Sequence, residues 1–68
     1  MANIAPNKPK YSDGVVTSDR VNVLKGPGTR YGVVKALRKG EHVTIYEEKS
    51  GWYRIGTYQW VSATHIKK

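Results

Sequence analysis

The sequence predicts a small antiparallel β-barrel, on the basis of three observations. From residue 14 onward, short runs of alternating apolar and polar residues follow one another, and each run ends at a turn signal. No stretch has the periodicity of an amphipathic helix. With 68 residues the chain can hold one domain with a small core, because a domain of this size buries only about 60% of the surface of its unfolded chain. Closing the sheet into a barrel removes the edges that so small an open sheet would leave exposed.

The first segment, residues 1–13, has the composition of a linker. It contains two prolines, two asparagines and two lysines and shows no periodicity. We therefore expect a flexible tether over residues 1–13 and the barrel over residues 14–68. A tether suggests that the chain is a piece of a longer modular protein, and a naturally frayed N-terminus is the alternative.

The predicted strands number six or seven, each three to six residues long. They cover residues 15–17, 21–24, 33–37, 42–47, 52–55 and 58–61, with an edge strand near residue 66. In residues 42–47 the alternation places Val43 and Ile45 on one face of the strand. Residues 62–66 can form one 3₁₀ turn before the last strand.

The strongest turn signal is the segment Gly26-Pro27-Gly28. Pro27 fixes its own φ and has no backbone N–H, and the two glycines permit positive φ, so the chain must reverse here. A second tight turn is expected at Gly56-Thr57, where glycine at the first turn position suits a primed turn between the last two long strands.

The charge of the chain indicates an anionic partner. Twelve Lys and Arg residues against five Asp and Glu residues give a net charge of +7. Such a charge suits a nucleic acid, an acidic membrane surface or an anionic cell-wall polymer. The alternative is that the lysines only increase solubility, since four of them, Lys8, Lys10, Lys67 and Lys68, lie near the ends.

Several classes of function are excluded by what the sequence lacks. Without cysteine there is no disulfide, thiolate nucleophile or zinc–thiolate site. No run has the length of a membrane span, and the first ten residues lack the apolar region of a signal peptide. If the full protein is exported, its signal therefore lies elsewhere.

No arrangement of titratable residues indicates catalysis or a bound metal. Glu47 and Glu48 are adjacent and point to opposite faces of a strand, which excludes them as the carboxylate pair of a glycosidase. His42 and His65 lie far apart and have no carboxylate at metal-ligand spacing. We expect no catalytic residue, no metal and no cofactor.

The order of motifs resembles that of a known family. The chain contains V-N-V, then G-P-G-T-R-Y, L-R-K-G-E-x-V, S-G-W-Y-R-I and finally Q-W-V-S-A-T-H-I. This order resembles the bacterial Src-homology-3-like (SH3b) domains, small barrels found in phage endolysins and in bacterial autolysins and amidases. The resemblance covers residues 14–66, and the short hairpin ending in Q-W-V is most similar to versions from Gram-positive bacteria and their phages. The chain departs from the family at Leu24, where arginine is common, and at His65, where tyrosine is common.

The resemblance implies a non-catalytic module outside the cell that binds peptidoglycan or an attached anionic polymer of teichoic-acid type. It implies further that the module holds a separate, tethered catalytic domain at the cell wall. We expect a monomer. Three alternatives remain: a nucleic-acid-binding small barrel, which is less favoured, a binder of Pro-rich peptides, and a spacer that folds against its own catalytic domain.

Six residues are candidates for ligand binding, and each has an alternative structural role. They are Asn22, Arg30, Tyr31, Trp52, Tyr58 and His65. Strand alternation turns Trp52 away from a core that holds Ile55. It also turns Trp60 to the face opposite that of Val61, and packing against a neighbouring strand is the favoured role of Trp60. His65 would make binding depend on pH, because histidine changes charge near neutrality.

Overall fold

A computed structural model describes residues 12–68. The predicted tether, residues 1–13, lies outside the described residues except for its last two. Those two, Ser12 and Asp13, lie in the first strand, so that strand includes two residues that the sequence assigned to the tether.

Residues 12–68 fold into eight short strands and one 3₁₀ turn, which confirms the all-β fold class and the turn near the C-terminus. The strands are β1 (Ser12–Val16), β2 (Arg20–Leu24), β3 (Val33–Arg38), β4 (His42–Ile45), β5 (Glu47–Lys49), β6 (Trp52–Gly56), β7 (Gln59–Ser62) and β8 (Ile66–Lys67). The 3₁₀ turn, Ala63–His65, connects β7 to β8.

The strand count exceeds the expected six or seven because the predicted strand 42–47 is divided at Tyr46. Before this residue, β4 pairs with β1, and after it, β5 pairs with β6. The Tyr46 backbone N–H donates to the carbonyl of Arg54 at 2.8 Å. The chain thus passes from one sheet to the other at a single residue.

The strands form two antiparallel sheets. One has the order β4-β1-β8, and the other has the order β3-β2-β7-β6-β5. In the five-stranded sheet, Arg20 lies opposite Arg38, and Trp52 lies opposite Ser62. The register of β2 with β3 shifts after Val23. Residues directly opposite one another share a face of the sheet, and these two pairs lie on the outer face, where the candidate site is found.

The core contains one inward-facing set of side chains from each sheet. Its buried members are Val16, Val21, Val23, Leu37, Val43, Ile45, Val61 and Ile66, with Tyr53 and Ile55 packed against them. The predicted inward faces of residues 42–47 and of β7 are therefore confirmed. Trp60 is also buried, 8% exposed, beside its cross-strand partner Leu24 and outside this cluster. Its burial agrees with a role in packing between strands.

The turns show where positive φ is needed. Ser50 and Gly51, with φ of 49° and 86°, join β5 to β6 in the geometry of a type I′ turn. The expected primed turn at Gly56-Thr57 is wrong, because Gly56 belongs to β6 and pairs with Gln59. The turn consists of Thr57 and Tyr58, and only Tyr58 has a positive φ, 55°. A shift of register between Arg54 and Gly56 moves the turn along by one residue.

Candidate functional site

The loop between β2 and β3 builds one wall of the candidate site. At its base the Lys25 N–H donates to the Gly32 carbonyl at 3.0 Å. Within it, the Gly28 N–H donates to the Gly26 carbonyl at 2.9 Å, which closes a γ-turn around Pro27. The predicted reversal is present, and it is fixed by bonds within the loop.

Gly26 is required by a close contact and not by its φ. The positive-φ glycines of residues 12–68 are Gly40 and Gly51, so the reversal does not use the positive φ that Gly26 and Gly28 permit. A Cβ on Gly26 would lie 2.5 Å from Cε1 of Tyr31. The bare Gly26 backbone thus lets the Tyr31 ring lie against the loop, and the ring remains 48% exposed.

Four of the six candidate residues line one groove with a volume of about 490 Å³. They are Asn22, Tyr31, Trp52 and His65. Asn22 points outward between Val21 and Val23, whose side chains are in the core, as strand alternation requires.

The 3₁₀ turn positions His65 at the end of the groove. Ser62 caps the turn, since its Oγ accepts the Thr64 N–H at 3.3 Å. The His65 carbonyl accepts the backbone N–H of Thr17 at 2.9 Å, and its Nδ1 lies 2.8 Å from Oγ of Ser18. Hydrogen bonds on the backbone and on the ring therefore hold the His65 side chain in the groove lining.

The structure does not bring the other two candidates into the groove. Arg30 is exposed on the loop and is absent from the groove lining. Tyr58 is 74% exposed on the turn between β6 and β7 and is absent as well.

Sequence reasoning missed several residues of the groove. It is also lined by Arg20, Leu24, Thr29, Val33 and Ser62. Alternation along β2 could have identified Arg20 and Leu24, since both share a strand face with Asn22. Thr29 reaches the groove through the fold of the loop and Val33 through its pairing with Leu24, and no local sequence pattern indicates either arrangement.

The groove combines aromatic rings with hydrogen-bonding groups. It offers the rings of Tyr31 and Trp52, the imidazole of His65, the amide of Asn22 and two aliphatic hydroxyl groups, and Arg20 is its one permanently charged lining residue. Aromatic rings beside hydrogen-bonding groups suit the faces of sugars and the amides of peptides. Within residues 12–68 no three metal-ligating side chains lie together, and no helix has the length and apolarity to cross a membrane.

Comparisons with known proteins agree with this architecture. The family model described as "Bacterial SH3 domain" matches residues 19–67. A curated relative from Bacillus subtilis (strain 168), named "Putative N-acetylmuramoyl-L-alanine amidase YrvJ", is 35% identical over 60 residues. That match covers 82% of this chain but only 12% of the relative, so the chain corresponds to a small part of the relative's length. The family match includes the loop and every candidate residue of the groove, and the chain belongs to the bacterial SH3 domain family.

Proposed function

We propose that this domain is a non-catalytic module that binds the bacterial cell wall. The observation that carries the proposal is the groove, in which four residues selected from the sequence lie together on a bacterial SH3 domain. The relative named as an amidase supports an association with wall enzymes. The module would act outside the cell, as part of a larger lytic protein such as an endolysin or an autolysin.

In the proposed binding mode, the Tyr31 and Trp52 rings contact a sugar or a stem peptide of peptidoglycan. Both rings line the groove, and each is partly exposed to solvent. The Asn22 amide and the His65 ring also line the groove and can exchange hydrogen bonds with the ligand. Arg30 and Tyr58 lie outside the groove and take no part in this contact with a sugar or a peptide.

The benefit to a tethered catalytic domain is a high local concentration of substrate. A binding module linked to an enzyme makes the encounter with an insoluble wall effectively intramolecular. No new chemistry is required of the module itself.

Co-sedimentation tests this function. The domain is mixed with purified Gram-positive sacculi, and a gel shift with single-stranded DNA is run beside it. We expect the domain to pellet with sacculi and to shift DNA weakly. A domain that stays in the supernatant and shifts DNA in a salt-sensitive way would instead be a nucleic-acid-binding barrel.

A further inference from the structure

Positive charge is concentrated on the hairpin of β2 and β3. Residues 19–39 hold six Lys and Arg residues and one carboxylate, whereas residues 40–68 hold four Lys and Arg residues and three carboxylates. All six cations of the hairpin are exposed. We call them the basic ribbon: Arg20, Lys25, Arg30, Lys35, Arg38 and Lys39.

The basic ribbon is not neutralised by the protein. Among residues 12–68 the one ion pair joins Arg54 to Glu47, away from the ribbon. Asp19, the carboxylate of the hairpin, pairs with no ribbon cation, and Glu41 accepts the backbone N–H of Arg38 at 2.7 Å. Residues 1–11 contain no Asp or Glu that could compensate.

Arg20 and Arg38 form the most closely opposed pair of the ribbon. They are direct partners in the register of β2 with β3, so their side chains leave the same face of the sheet. Like charges directly opposite one another destabilise a sheet, and a bound anion would relieve this repulsion. Both line a cleft of about 550 Å³ together with Asp19 and Lys39. Arg20 also lines the groove, so the cleft and the groove adjoin.

We propose that the basic ribbon binds the phosphodiester groups of an anionic wall polymer, with Arg20 and Arg38 as the anchor. This proposal rests on the wall-binding function and assigns a second subsite beside the groove. A guanidinium group donates two parallel hydrogen bonds to a phosphate, and two opposed guanidinium groups can hold one phosphate from both sides.

The length of the ribbon favours a polymer over a single anion. Arg20 and Arg38 lie at one end of the hairpin, and Lys25 and Arg30 lie in the loop at its other end, roughly 13 Å away along the five residues of β2. A chain of repeating phosphates can therefore meet several cations at once, and its neutral units can extend into the groove past Asn22. A single carboxylate of a muropeptide would engage only one end of the ribbon.

The test compares two double variants of equal charge. Arg20→Gln/Arg38→Gln removes the anchor, and Lys49→Gln/Lys67→Gln removes two exposed cations from β5 and β8. Binding is measured on Gram-positive sacculi that retain their phosphodiester polymers and on sacculi stripped of them with hydrofluoric acid. On untreated sacculi we expect the anchor variant to lose roughly tenfold in affinity and the control variant less than about twofold. On stripped sacculi the affinity of the unmodified domain should fall to that of the anchor variant.

Each other outcome has a separate meaning. If the anchor variant retains full affinity for untreated sacculi, the subsite is refuted. If stripping leaves the affinity of the unmodified domain unchanged, the phosphodiester assignment is refuted while wall binding stands. If the unmodified domain binds neither preparation, the proposed function itself fails. Equal affinity for single-stranded DNA or for anionic vesicles, lost in the same variant, would overturn the assignment to a wall polymer.

The anchor variant is expected to fold. Arg20 and Arg38 are exposed, and glutamine removes the repulsion between them. A circular dichroism spectrum and a thermal melt like those of the unmodified domain provide the check.

Discussion

Replacing Gly26 with alanine should weaken ligand binding while leaving the fold intact. The added Cβ would lie 2.5 Å from Cε1 of Tyr31 and 2.6 Å from Cδ1 and Cζ. Carbon atoms in contact are about 3.5–4.0 Å apart, so the ring must move by roughly 1 Å or more. Because the ring is 48% exposed, it can swing toward solvent and leave the groove.

The size of the effect follows from what the ring contributes. A well-placed aromatic contact contributes about 0.5–1.5 kcal/mol, so losing it raises the dissociation constant between roughly twofold and tenfold. Stability should change by less than about 1 kcal/mol, because the displaced side chain lies outside the core. Binding and stability are thus expected to separate in this variant.

Gly28→Ala is the matched control in the same loop. Its Cβ would lie 3.5 Å from Cε2 of Tyr31, an ordinary contact, and Gly28 does not have a positive φ. Binding to sacculi and a urea titration are measured for both variants. The reasoning is refuted if Gly26→Ala binds like the unmodified domain, or if Gly28→Ala loses as much affinity.

Three further predictions concern the fold. Gly14→Ala should cost about 1–3 kcal/mol and lower the melting temperature by several degrees, since its Cβ would lie 2.5 Å from a buried isoleucine of β8. Gly32→Ala, with nothing within 4 Å, is its control, and equal melts would contradict the packing account. Val61→Ala, at a position 0% exposed, should cost about 2–3 kcal/mol of stability and lower the urea midpoint. An unchanged midpoint would contradict this account, since it would mean that the removed methyl groups contribute nothing to the stability of the core. Glu47→Gln breaks the exposed pair with Arg54 and should change unfolding in urea by less than about 1 kcal/mol, and a larger loss would show an unexpectedly strong pair.

Local patterns were sufficient to predict the strands and their inward faces. Alternation with a period of two is a property of neighbouring residues, so Val43 and Ile45 could be assigned to the core directly. The division at Tyr46 could not be predicted in this way. It depends on which distant strands, β1 and β6, pair on either side of that residue.

The same distinction between local pattern and distant pairing applies to the candidate site. Alternation sufficed to direct Asn22 outward, the position of Tyr31 after the Gly-Pro-Gly loop indicated that residue, and the resemblance to a family indicated His65. The contact of Gly26 with the Tyr31 ring arises from the tertiary fold of the loop. Arg20 lies opposite Arg38 because of the register of β2 with β3, which is a property of the pair of strands and not of either sequence alone.

The central claim, that the groove is the wall-binding surface, is tested most directly by comparing two tyrosines. Tyr31 lines the groove, whereas Tyr58 is an exposed tyrosine outside it, so Tyr31→Ala and Tyr58→Ala remove the same side chain from two surfaces. Co-sedimentation with Gram-positive sacculi is measured for both against the unmodified domain. We predict that Tyr31→Ala loses affinity and that Tyr58→Ala binds like the unmodified domain. Full binding by Tyr31→Ala together with a loss in Tyr58→Ala would contradict the account and move the contact surface to the turn between β6 and β7.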